Sequence, residues 1–302
     1  MVAGGATGAP PAASSRAPAH TATSGSSQDE SDAGVPPAAD SGGAPTPAED
    51  TSCLDGVTQL ANAGPFTFAA RTSERLKLWV PALRAGCKTP VVHFANGTGA
   101  QCAAYQPLLE RLASHGFLTV CAESTNTGTG VPGSEAFEAV LAMYPELAAH
   151  KLGSLGHHAG GQGALLTVQQ AEVKWNAHGQ YTAFAIAPLS GHGAQPPSGD
   201  WRAAYAAVKS PVLLMSGSAD SLVSEALVGA TFAALSDRLE AYWLSGVGVV
   251  HIPLPLEPMQ QLAVPWLRWK LLGDAQACAH FKQLASDPRW ELSGEQGAKP
   301  CR

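Results

Sequence analysis

From residue 66 onward the apolar positions fall into two alternating patterns. Short apolar runs of strand length are "FTFAA", "LKLWV", "PVVHFA", "FLTVCA", "KLGSLG", "YTAFAIAP", "PVLLMSG" and "EAYWLSG". Between them stand longer segments with apolar residues at helical spacing: "YQPLLERLASHG", "SEAFEAVLAMY", "GGQGALLTVQQAE", "SEALVGATFAALS" and "MQQLAVPWLRWKLLG". The first two runs predict a hairpin. The glycine that closes "YQPLLERLASHG" predicts a helix stop, and Ser134 predicts a helix cap. "EAYWLSG" is predicted as the last strand and "MQQLAVPWLRWKLLG" as the last long helix. Strand–helix alternation with short turns predicts an α/β fold. Its central sheet is mostly parallel, is flanked by helices on both faces, and carries its site at the carboxyl ends of the strands.

The first fifty residues lack this patterning. "GGATGAPPAASSRAPAH" and "DAGVPPAADSGGAPTPAED" are rich in Pro, Gly, Ala and Ser, and bury too little to offset the entropy of ordering. Residues 1–52 are therefore expected to be a disordered linker and 53–302 one domain. That second part holds all seven Trp and all six Cys. It is of a size for a single core. The formal net charge of −6 excludes a strongly basic nucleic-acid binder. No apolar run of about 20 residues exists, so no membrane span is expected. "MVAGG" shows no signal-like apolar region. Six cysteines allow fifteen pairings. Cys278 and Cys301, which flank the C-terminal tail, are the first pair to expect. Linker and cysteines together suggest a secreted or extracytoplasmic protein. Nothing suggests oligomers, so a monomer is expected.

Three features follow apolar runs in a fixed order. "GHHAGGQG" holds the frame Gly156-His157-His158-Ala159-Gly160, "SGSADSLV" carries Asp220, and "SGVGVVHIPLP" carries His251. Nucleophile, acid, histidine is the chain order of α/β-hydrolases. In that frame the nucleophile sits on a strained strand-to-helix turn. Gly156 and Gly160 clear space for it, and Gly161 lets the helix pack closely. The backbone N–H of Ala159 would then point at a developing oxyanion, with a second donor from "FANGTGAQ".

"FANGTGAQCAAYQPLLERLASHGFLTV", "NTGTG", the elbow, "SGSADSLV" and a late histidine make the chain resemble secreted esterases related to bacterial cutinases and polyester (PET) hydrolases. The resemblance covers roughly 53–302. It implies an α/β-hydrolase fold and hydrolysis of small or polymeric carboxylic esters without a cofactor. It implies Thr98 as the first oxyanion donor, where the family often has an aromatic residue, and Ala159 as the second. It implies Asp220 as acid and His251 as base. His192 would be a substrate-binding residue, where the family often carries Trp, and Cys278–Cys301 would be a disulfide. The departure is His158, where the family has Ser.

Four roles fit an imidazole at that position. It can be the nucleophile, forming an acyl-imidazole with activated esters. It can activate water together with His251. It can ligate a metal with His251 and Asp220, although no helical His-x-x-x-His motif supports this and no metal is expected. Or the chain is a pseudoenzyme or nucleophile mutant that retains a binding cleft. Loss of the nucleophile in a serine hydrolase can cost on the order of 10⁶ in kcat. No other serine stands in an elbow. Ser154 should point into the sheet layer, Ser190 lacks the frame, and Ser216 and Ser218 flank the acid loop. His93, His115, His150, His178 and His280 have no frame and are read as structural, and His157 as a supporting residue.

Overall fold

A computed structural model describes residues 50–301, apart from 84, 145–146, 149–150, 176–179, 191–199 and 252–256. Among the described residues the chain is an α/β protein built on one nine-stranded sheet. The hairpin expected at the start is β1 (Phe68–Ser73) with β2 (Leu76–Pro81), paired antiparallel. The remaining strands are β3 (Val91–Ala95), β4 (Leu118–Ala122), β5 (Lys151–His157), β6 (Gln180–Ile186), β7 (Val212–Gly217), β8 (Ala241–Gly246) and β9 (Trp290–Gln296). Their order is β1-β2-β4-β3-β5-β6-β7-β8-β9. The run from β4 through β8 is parallel, and β2 and β9 flank it antiparallel. Buried strands such as β3 and β4 are apolar without alternation, because both sides are covered.

The helices are α1 (Gln106–Ser114), α2 (Val131–Met143), α3 (Ala159–Trp175), α4 (Trp201–Ala206), α5 (Glu225–Ala234), α6 (Glu257–Leu267) and α7 (Ala275–Ala285). Successive residues of β5 show how they cover the sheet. A side chain on Gly153 would press on Leu267, the last residue of α6, and on Leu271 just past it. The next residue, Ser154, turns to the other face and bonds His93, whose ring stacks edge-on against Phe137 of α2.

Three expectations are corrected. Ser134 does not cap α2, because the helix begins one turn earlier, after the left-handed Gly130, with Pro132 in its first turn. "EAYWLSG" is not the last strand: β9 follows, and its exposed, polar composition hid it from an apolar-run criterion. The last long helix is not one helix. Past Pro265 it becomes a π turn over Arg268–Leu272 and ends at the left-handed Gly273, and Asp274 then caps α7 through the N–H groups of Gln276 and Ala277.

Three disulfides join Cys53–Cys87, Cys102–Cys121 and Cys278–Cys301, the last as expected, and leave no free cysteine among the described residues. No described helix is long and apolar enough to cross a membrane.

Candidate functional site

Because β3, β5, β7 and β8 are parallel, the segments after them meet at one edge of the sheet. β5 ends at His157 and α3 begins at Ala159, so the whole reversal rests on His158. That residue has φ +59°, a left-handed conformation a side chain adopts only when its surroundings impose it. The surroundings are close. The His158 N–H donates to Ile186 O at 3.0 Å, and its carbonyl accepts the N–H groups of Gly161 and Leu189, also at 3.0 Å. A Cβ on Gly156 would run into the carbonyl of Gly160, and one on Gly160 into that of Ala95. Both glycines are thus fixed by backbone approaching backbone.

The structure brings His158, His251 and Asp220 into one hydrogen-bonded chain. His251 Nδ1 lies 2.7 Å from Asp220 Oδ2, and His251 Nε2 lies 3.0 Å from His158 Nδ1. Asp220 is buried, and its other oxygen accepts the N–H groups of Leu222 and Val223 at 2.8 Å each. Against that acceptor, the neutral ring of His251 places its proton on Nδ1 and its lone pair at Nε2. The 3.0 Å contact then requires the Nδ1–H tautomer of His158, which leaves a lone pair on Nε2. His158 is half-buried. Its pKa lies below the usual histidine value, first because burial disfavours the cation and then because His251 is close, with Asp220 opposing. The imidazole at the elbow is therefore neutral at neutral pH.

Thr98 and Ala159 lie on facing segments. The loop after β3 runs against the elbow, for a Cβ on Gly97 would touch His157. Neither the Thr98 nor the Ala159 N–H has an acceptor among the described residues. Ala159 also opens a 17-residue helix, whose N-terminus favours negative charge. His192 falls in 191–199, outside the described residues. No cluster of three or more His, Cys, Asp or Glu suited to a metal ion occurs among the described residues.

Tyr105 and Asn96 are supporting residues that sequence reasoning did not pick out, whereas His157 was expected in such a role. Tyr105 OH accepts the N–H of Gly97 at 3.0 Å and is hydrogen-bonded to His157 Nδ1 at 3.2 Å, tying the loop to the elbow. His157 is buried against His251, with ring centroids 4.6 Å apart. Its pKa is lowered to about 3, mainly by burial and then by the two neighbouring imidazoles. Asn96 spans the loop, donating from Nδ2 to Ala100 O at 2.8 Å and to Ser124 O at 3.1 Å. Tyr105 stands ten residues after the end of β3, and no motif in the sequence marks it out.

The other serines are engaged elsewhere. Ser154 is buried beside His93, Ser190 bonds Tyr205 and Thr231, Ser216 accepts from Trp243, and Ser218 accepts the Gly248 N–H. His93 and His115 are buried structural histidines; His150 and His178 lie outside the described residues. No protein-family model and no curated protein matches the chain.

Proposed function

We propose that the protein is a carboxylic-ester hydrolase of the α/β-hydrolase type, with His158 in the place of the nucleophilic serine. One observation carries the reading: a hydrogen-bonded chain from His158 through His251 to Asp220, hung on a left-handed elbow residue. In this reading His158 Nε2 attacks the ester carbonyl. His251 takes up the Nδ1 proton, and Asp220 holds His251 in the required tautomer and offsets its charge. The N–H groups of Thr98 and Ala159 receive the oxyanion. A cleft of about 480 Å³ beside the loop, lined by Gly99, Ala100 and Gln101 and faced by Arg75 and Glu123, gives space for one arm of the substrate. The likeness to cutinases and polyester hydrolases and a secreted location belong to the same proposal, and three disulfides fit an oxidising compartment.

The test is hydrolysis of p-nitrophenyl acetate by the parent, His158→Ala and His158→Ser, with mass spectrometry of the acylated protein. The reading expects turnover by the parent, none above background in His158→Ala, and an acetyl group trapped on the peptide containing His158. A parent that matches buffer, beside a His158→Ser variant faster by orders of magnitude, would overturn it in favour of a protein that only binds through the same cleft.

A further inference from the structure

The tautomers fixed by Asp220 have a chemical consequence for any acyl transfer at this site. In a serine site one oxygen both gives its proton to the base and attacks the carbonyl. The protonated base therefore ends beside the departing oxygen and can protonate it. Here the two tasks fall on different atoms. His158 gives its proton from Nδ1, the atom 3.0 Å from His251, but attacks from Nε2 on the opposite edge of the ring. The rings of His158 and His251 stand nearly perpendicular, at 79°, with centroids 5.0 Å apart, so the His251 proton faces the nitrogen it came from. His157 stands against both rings, with centroids 4.6 Å from His251 and 6.2 Å from His158, and adds no acid, because its pKa of about 3 keeps it neutral.

We propose, on the reading of His158 as nucleophile, that the site accepts only acyl donors whose leaving group departs without protonation. Aryl esters and esters of comparably acidic alcohols qualify. Simple alkyl esters, polyester chains among them, do not. The steps balance. Nε2 forms a bond to the carbonyl carbon, and the Nδ1 proton moves to His251 Nε2. The carbon–oxygen bond of the leaving group breaks with its electron pair, and the anion takes a proton from water. His251 then returns its proton to Nδ1 of the acylated ring. That gives an acyl-imidazolium, the form most open to attack by water. Water adds at the carbonyl carbon, the carbon–nitrogen bond breaks toward His158, and the surplus proton of that water neutralises the hydroxide left when the leaving group was protonated. The carboxylic acid leaves, and both histidines return to their starting tautomers. His251 thus serves release of the acid and not release of the alcohol.

The experiment is kcat/KM for acetate esters of phenols of graded acidity and of ethanol, for the parent and for His158→Ser. The parent is expected to lose about three- to tenfold for each unit rise in leaving-group pKa, and to leave ethyl acetate untouched. The serine variant is expected to depend only weakly on leaving group, because its oxygen faces His251. A shallow dependence in the parent that extends to ethyl acetate, with acetyl-His158 still detected, overturns this inference and leaves the nucleophile reading intact. A parent no faster than His158→Ala on p-nitrophenyl acetate overturns both. The parent's slope alone decides the matter if the serine variant does not fold.

Discussion

Mild acid should unfold this protein through three histidines, only one of them near the site. His93, His115 and His157 are buried, and burial lowers their pKa values to about 3, about 4 and about 3. Burial outweighs the backbone hydrogen bonds that favour the cation at His115 and His157. His93 meets the hydroxyl of Ser154, and His157 that of Tyr105; His115, which donates to Asn62 O, faces the Arg268 and Arg111 cations. In the unfolded chain each returns to the reference value near 6.5. All three folded values lie below that reference, so the unfolded state binds protons first as pH falls. The stability contributed by neutral burial is intact above pH 6.5 and is lost below it. At pH 5 each histidine has moved about 1.5 units past its unfolded pKa, which corresponds to about 2 kcal/mol each and about 6 kcal/mol together. That is comparable with the whole stability of an ordinary domain. Urea unfolding followed by circular dichroism at intervals from pH 8 to 4.5 measures it. The expected result is a plateau above pH 7 and a slope of about 4 kcal/mol per pH unit near pH 5. The imidazole C–H resonances of the three residues should meanwhile hold their neutral positions at pH 5. Equal unfolding midpoints at pH 7.5 and 5 would refute the reasoning.

Tyr105→Phe removes the hydroxyl shared by Gly97 and His157 and leaves a buried N–H unpaired. It should cost about 1–3 kcal/mol in thermal unfolding and lower kcat more than it raises KM. The pH–rate profile should show an acid limb below the ordinary histidine value, since the lowered pKa of His158 keeps its lone pair free until pH falls past it; a limb above pH 6.5 would contradict that assignment. Replacing Cys278 and Cys301 by Ser opens a link between residues 23 apart and should lower stability by about 3 kcal/mol in chemical denaturation, without changing the leaving-group dependence.

Much of the fold was legible because parallel strands buried on both faces are bare apolar runs, as in "VVHFA" and "LTVCA". β9 was not, since an edge strand paired to β8 on one side is free to be polar, as "WELSGEQ" is. The break at the end of α6 was hidden because the apolar spacing of "LRWKLL" persists through the π turn. At the site, Asp220, His251 and the elbow could be read from order and spacing, which are properties of a chain. The nitrogen by which His158 meets His251 is a property of two side chains in space. So is the use of Tyr105 as a strut between loop and elbow.

The Cys102–Cys121 disulfide gives the site a history as well as a shape. Cys102 opens the turn that carries Tyr105, and Cys121 lies on β4, beside β3 and the loop that follows it. Both sulfurs are sealed in the finished core. The bond therefore has to close while the chain is still assembling, when an oxidant can reach it. A reductant met later finds nothing to attack. Protein made in a reducing cell and oxidised afterwards should consequently be a different product from protein made during export. Oxidant added to material that had already folded without the bond would reach neither sulfur.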